Sequence, residues 1–192
     1  MKKGFTLIEL VIVIGILAIL AAAVVLVLNP AQLLAQARDS QRLSDLGSIK
    51  SAIALYMATA NSITLGVGPT CTVAGCMGVA AANGPFAELE TLNTITKTTD
   101  ATGWILTDLS GTSGGAALGA LPMDPSGTAT YFYAYKGDNG PKTFEIDGRL
   151  ESDKYKGLMM SDGGNKNTCG TDYGTGATAD TCFYEIGTKL DI

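Results

Sequence analysis

Apolar and polar positions along this chain change regime three times, and each regime predicts a different element. From Phe5 to Leu28 the sequence is apolar except at Thr6, Glu9 and Gly15. That run is long enough to cross a hydrocarbon layer of about 30 Å as one helix. Asn29-Pro30 interrupts it, with Asn suited to an N-cap and Pro to the first helical turn. Beyond the interruption Leu43, Leu46, Ile49, Ile53, Tyr56 or Met57, and Ala60 recur at spacings of three and four. This is one face of an amphipathic helix. If Pro30 kinks the rod instead of breaking it, Phe5 to about Ala60 forms a helix of roughly 84 Å. Arg38, Asp39, Arg42 and Asp45 lie at three- and four-residue offsets, and the pattern predicts that they pair along a solvated face. Gly47 in mid-helix costs up to about 1 kcal/mol relative to Ala and predicts a packing reason for its presence.

After Ala60 the period changes. Residues 61 to 103 form a Gly-, Pro- and Thr-rich connecting region around one short helical candidate, Phe86 to about Lys97. Trp104 to Leu109 is predicted as a first strand, followed by a Gly-Ser-rich linker near Ser110 to Gly115. A clear strand follows, in which Tyr131, Tyr133 and Tyr135 alternate with Phe132 and Ala134, and the aromatic stripe is expected to be the half-buried face of a sheet. Asp138-Asn139-Gly140 is a turn signal, Thr143 to Asp147 a returning strand, and Phe183 to Ile186 a short last strand. The expected fold is α+β: a long N-terminal helix, one half transmembrane and one half amphipathic, packed on a small antiparallel sheet. The expected parts are a leader at 1–4, an apolar helix at 5–28, an amphipathic half at 29–60, and a head at 61–192 whose sheet and late loops begin at 104.

Composition narrows the function classes. Met1 to Asn29 carries two lysines and one glutamate, and removing this local +1 from the overall −5 leaves −6 for the remainder. An acidic head without a basic, aromatic-interleaved cluster lacks the attraction to phosphate that direct nucleic-acid binding needs. Histidine is absent, which removes the commonest general base, zinc ligand and triad partner together. The chain has no nucleophile elbow and no evidently paired acids, so it is expected not to be an enzyme.

Lys2 and Lys3 precede the apolar run, and no Lys or Arg follows it until Arg38. The positive-inside bias therefore holds the N-terminus in the cytoplasm and sends the remainder outward. A secretory signal peptide cleaved near Ala21 to Ala23, or a plain signal anchor, would account for the hydrophobicity. Neither accounts for Glu9. A carboxylate deep in such a run costs about 2.5 to 3.5 kcal/mol on insertion scales, which points to a partner within the membrane or a helix bundle. Small residues at Gly15, Ala18 and Ala21 to Ala23 suit close helix packing and generic transmembrane composition equally.

The string Lys2-Lys3-Gly4-Phe5-Thr6-Leu7-Ile8-Glu9-Leu10 resembles the type IV prepilin signature: a basic leader, Gly, an aromatic, and Glu at the fifth position after the Gly. The resemblance implies that a prepilin peptidase cuts between Gly4 and Phe5 and methylates the new amine of Phe5. Four residues at about 1.5 Å rise place Glu9 only about 6 Å along the axis from that amine. Glu9 of one subunit then meets the Phe5 amine of a staggered neighbour, and neutralising both charges in hydrocarbon sets the register. Ala37-Arg38-Asp39 through Tyr56 is similar to the second half of the stalk helix in bacterial pilins and major pseudopilins. Leu121-Pro122-Met123-Asp124-Pro125-Ser126-Gly127 resembles the pre-strand turn of major pseudopilins. The implied partners are further copies in a helical filament, the peptidase, and an inner-membrane assembly platform. The implied places are the inner membrane before assembly and an extracellular filament or periplasmic pseudopilus after it.

Cys71 and Cys76, then Cys169 and Cys182, fall in the exported part. Short separations favour local pairing, Cys71 with Cys76 and Cys169 with Cys182, in an oxidising exterior. A four-cysteine zinc site lacks the usual knuckle at both ends. Asp162, Asn165 and Asn167 lie in a Gly-rich loop, and Asp172 and Asp180 follow. Such oxygens are calcium candidates, and the resemblance to major pseudopilins adds a calcium site in the late loops. Their spacing does not match a twelve-residue calcium loop, and a polar surface turn explains them as well. No cofactor is otherwise expected. A filament subunit, a membrane-anchored binding module and an anchored hydrolase remain as function classes, and Glu9 favours the first, because a tether gains nothing from a buried carboxylate.

Overall fold

The computed structural model describes residues 4–66, 68–72, 85–86, 96–112, 114–128, 130–169 and 181–192. The chain divides into two compact units, Met1–Ala35 and Gln36–Ile192.

In the first unit α1 spans Leu7–Leu28. Thr6 stands before it in extended conformation as N-cap, and Glu9 sits at the third helical position. Helix α1 ends at Asn29, whose left-handed φ of 40° no continuing helix permits. A second helix, α2, spans Pro30–Thr59. Asn29 caps its start as well, since its carbonyl oxygen and Oδ1 accept from the Gln32 N–H at 3.0 and 3.4 Å. The apolar and amphipathic stretches are thus two helices, separated by a single residue whose side chain tolerates φ above zero.

In the second unit Leu46, Ile49, Ala52, Ile53 and Tyr56 of α2 are buried together with Tyr133, Tyr135, Phe144, Ile146 and Trp104. The predicted apolar face is the one that packs. Gly148 admits this contact closely, because a Cβ there would lie 3.0 Å from Leu46 Cδ1. Gly47 is different: among the described residues a Cβ there meets nothing within 4 Å, so no packing among them explains it.

The sheet comprises β1 (Gly68–Cys71), β2 (Tyr133–Asp138), β3 (Thr143–Gly148) and, after a 3₁₀ turn at Lys156–Met160 and the short pair β4 (Asn167–Thr168) and β5 (Thr181–Cys182), β6 (Tyr184–Gly187). Its order is β1-β2-β3-β6, antiparallel throughout. The fold is α+β and pilin-like. The β2–β3 hairpin and the last strand stand where alternation places them. Both faces of β2 are buried, one against α2 and one with Phe86 and Phe183, so the aromatic stripe is core on either side.

Residues 104–109 are not a strand. Gly103, Trp104 and Ile105 are buried in succession, which the two-residue alternation of a strand with one buried face does not produce. Their backbone is held by a Thr-rich loop instead, with Trp104 N–H donating to Thr96 O at 3.1 Å and Leu109 N–H to Thr99 O at 2.7 Å. Among the described residues, pairing there amounts to one bridge, Asp100 to Asp108. The first strand is β1, whose Gly68 and Pro69 read as loop in the sequence; at a sheet edge Pro forfeits no ladder bond that matters. The helical candidate at 86–97 falls outside the described residues except for buried Phe86 and the non-helical Thr96 and Lys97.

Candidate functional site

The chemistry singled out by the sequence begins at the N-terminal edge of α1. Gly4, Phe5 and Thr6 are non-helical and exposed, with Phe5 83% accessible. The Gly4–Phe5 peptide therefore lies in exposed, non-helical chain ahead of α1. Lys2 and Lys3 lie outside the described residues. Behind this peptide, α1 is long and apolar enough over Leu7–Val25 to cross a membrane, and none of that span is buried within the chain.

Glu9 does not stand unpartnered in α1. One oxygen, Oε2, accepts from Thr6 N–H at 2.8 Å and from Thr6 Oγ1 at 2.7 Å, while Glu9 N–H donates back to Thr6 Oγ1 at 3.3 Å. This is a capping box, which satisfies backbone donors that a helix start leaves unpaired. Its T-x-x-E spacing is legible in the sequence, but a search for a cation beside Glu9 passes over it. The second oxygen has no hydrogen bond among the described residues, so a cation can approach Glu9 without dismantling the cap.

A second constellation corrects the expectation of a solvated face on α2. Asp39 and Arg42 are fully buried. Arg42 Nη1 reaches Asp39 Oδ1 at 2.8 Å and Glu151 Oε1 at 2.6 Å, and its Nη2 donates to Ser126 Oγ at 2.8 Å. Its Nε and Nη2 grip Asp124 bidentately. Asp39 in turn accepts the backbone N–H groups of Glu151 and Ser152. Arg38 holds Glu151 bidentately at 2.6 and 2.8 Å. Burial alone lowers the pKa of Arg42, but Asp124, Glu151 and Asp39 more than reverse this and raise it. For Glu151 burial raises the pKa, and the two arginines bring it below the ordinary value. The turn at 121–127 is thereby tied to α2, and Asp124 Oδ1 also accepts Ser126 N–H at 2.7 Å, which shapes the chain before β2. Asp45, predicted on the same solvated face, accepts a hydrogen bond from Tyr133 Oη at 3.0 Å.

The cysteine and calcium candidates are placed as follows. Cys169 and Cys182 form a disulfide with Cα atoms 4.7 Å apart, beside the β4–β5 pair in which Asn167 faces Cys182. Cys71 is disulfide-bonded, and Cys76 lies outside the described residues. Asp162 uses Oδ1 to accept Gly164 N–H at 3.0 Å and Oδ2 to accept Glu185 N–H at 2.9 Å. Asn167 Nδ2 donates to Gly164 O at 2.7 Å, and Asn165 offers its backbone N–H to Glu185 Oε1 at 3.3 Å. The Asp162 and Asn167 side chains and the Asn165 backbone thus serve the turn, while Asp172 and Asp180 lie outside the described residues. The acidic groups that do converge among the described residues are Glu145, Asp147 and Glu185, none of which belongs to a sequence motif.

Residues 1–25 match the prokaryotic N-terminal methylation motif. The match takes in most of the apolar α1, and the two together fit a membrane-anchored precursor of the type IV pilin kind; the motif implies processing by prepilin peptidase and assembly into a membrane-associated filament. Comparison with curated proteins and with solved structures gives no match.

Proposed function

We propose that this protein is a structural subunit of a type IV pilus-like extracellular filament, serving adhesion, twitching motility or DNA uptake, and that it performs no catalysis. The observation that carries the reading is Glu9, one helical turn behind an exposed Gly4–Phe5 bond at the head of an otherwise apolar helix. Cleavage turns Phe5 into an ammonium at about the depth of Glu9. In lipid each charge alone is costly, and only a neighbouring subunit at one stagger supplies the complement. The Thr6 cap holds one oxygen of Glu9 meanwhile and leaves the other for the incoming amine.

A pseudopilin of a type II secretion system is the second reading, favoured by the 121–127 turn, whose Asp124 is tied to α2 through Arg42. Two cysteine pairs and a long late loop suit an exposed pilus subunit better. Electron microscopy of surface filaments from cells with and without the gene tests the choice. Filaments lost with the gene and restored by it support the pilus, whereas unchanged filaments with lost protein secretion support the pseudopilin.

A further inference from the structure

The sheet face turned away from α2 carries buried charge. Glu145 and Asp147 of β3 and Glu185 of β6 are all buried, and one oxygen of each lies within 4.8 Å of the others. Asp147 and Glu185 stand directly opposite in the β3–β6 register, a placement that repels when both are ionised. One ammonium serves all three. Lys166 Nζ pairs with Glu145, lies 3.2 Å from Glu185 Oε1 and 4.0 Å from Asp147 Oδ2, and sits under the Phe86 ring at 4.9 Å.

The remaining hydrogen bonds are unequally shared. Glu145 Oε2 accepts Ile192 N–H at 3.1 Å, and Glu185 Oε2 accepts Lys166 N–H at 2.8 Å. Neither oxygen of Asp147 has a hydrogen-bond partner among the described residues, and its ion pair with Lys166 is the longest of the three. The nearby charges do not relieve it: Asp162 is occupied by the Glu185 N–H, Lys136 of β2 faces Phe86 at 5.8 Å, Arg149 faces Phe183 at 4.5 Å and Cys182 O, and Lys189 pairs with Asp191. Three carboxylates against one ammonium leave two negative charges uncompensated in a water-poor pocket, where ionised groups are heavily penalised. Lys166 already fills the point at which a metal ion would sit. A proton on Asp147 removes one of those charges, and with it the repulsion from Glu185 across the β3–β6 register, and provides an O–H donor for Glu145 on its own strand.

We infer that Asp147 is protonated in the folded head and that this proton latches the edge strand β6 onto β3, so that β6 opens more readily as pH rises. Burial, then the adjoining Glu145 charge, pushes the Asp147 carboxyl well above the usual carboxylate range, with Lys166 opposing; burial raises Glu185 in the same direction. The folded value thus exceeds that of the opened state. The contribution is fully present below about pH 4, the ordinary Asp value, and is lost as pH climbs through the raised one.

The test is hydrogen–deuterium exchange on the full chain in detergent micelles, read at the Tyr184 and Ile186 amides, which face β3, against pH and corrected for intrinsic exchange. Within that window each pH unit is expected to lower β6 protection about tenfold, with Tyr135 and Lys136 in β2 unaffected. Asp147→Asn, neutral at every pH, is expected to flatten the slope. A second readout, the 13C shift of the Asp147 carboxyl, needs no substitution and is expected to show the protonated form well above the ordinary range. An Asp147 that ionises at the ordinary value, or a slope that survives Asp147→Asn, overturns the inference. So does a slope abolished by calcium chloride and restored by a chelator, because the trio then holds a metal ion in place of the proton.

Discussion

Arg42 and Asp124 meet through two parallel contacts, Nε to Oδ2 at 2.7 Å and Nη2 to Oδ1 at 3.1 Å, with neither side chain reached by solvent. The pair joins α2 to the turn that launches β2, across 82 residues of chain. Removing Arg42 leaves the buried Asp124 and Asp39 carboxylates without their cation, which costs about 3 to 5 kcal/mol. Arg42→Met is expected to destabilise the head by that order in chemical denaturation, and Asp124→Ala by less, because Asp39 and Glu151 still hold Arg42. The double variant is expected to lose clearly less than the two single losses combined, since the second change removes the charge that the first leaves unpaired. Additive losses would mean that the pair does not act as a unit.

The same network predicts acid sensitivity. Glu151 is depressed in the folded head, so its contribution is present above about pH 4.3, the ordinary Glu value, and is lost as pH falls through the lower folded value. Denaturation midpoints are expected to drop across that interval. Glu151→Gln should remove this part of the drop, and an unchanged acid limb in that variant counts against the assignment.

Reduction of Cys169–Cys182 frees a closure spanning 13 residues, for which chain entropy predicts a loss of about 3 kcal/mol. Cys169→Ala/Cys182→Ala is expected to unfold earlier in urea by about that amount. Because Cys71 is also disulfide-bonded, the double variant isolates the late bridge in a way that reductant does not.

Glu9→Ala is expected to leave membrane insertion intact or improved, by about 2.5 to 3.5 kcal/mol at most, while filaments fail or take up the subunit poorly. Insertion is read by fractionation and polymerisation by shearing and microscopy. Normal polymerisation of this variant would defeat the proposed role of the carboxylate.

Gly4→Leu places a branched side chain beside the scissile bond and is expected to block maturation. Intact mass of the purified protein decides the matter: a variant that still loses its first four residues overturns the assignment of processing to Gly4.

What could be read from the chain alone is whatever is encoded locally. The leader, the apolar α1 and the lone Glu9 follow from neighbouring residues, because membrane transfer acts on contiguous segments. The buried face of α2 and the β2–β3 hairpin follow from short-range periodicity. The fate of a charged side chain is another matter. Arg38, Asp39, Arg42 and Asp45 have the helical offsets of a solvated face, and nothing within a few residues distinguishes that from a buried network whose partners, Asp124 and Glu151, lie 82 and 109 residues from Arg42. Strand β1 is masked in the sequence by Gly68 and Pro69, which only an edge position excuses, and edge positions are assigned by strand order. The Glu145, Asp147, Glu185 and Lys166 cluster exists only once β6 returns beside β3. Hydrophobic periodicity specifies which side of an element turns inward, but the charge that meets it there is chosen by tertiary pairing, since Coulomb and desolvation energies depend on separation in space.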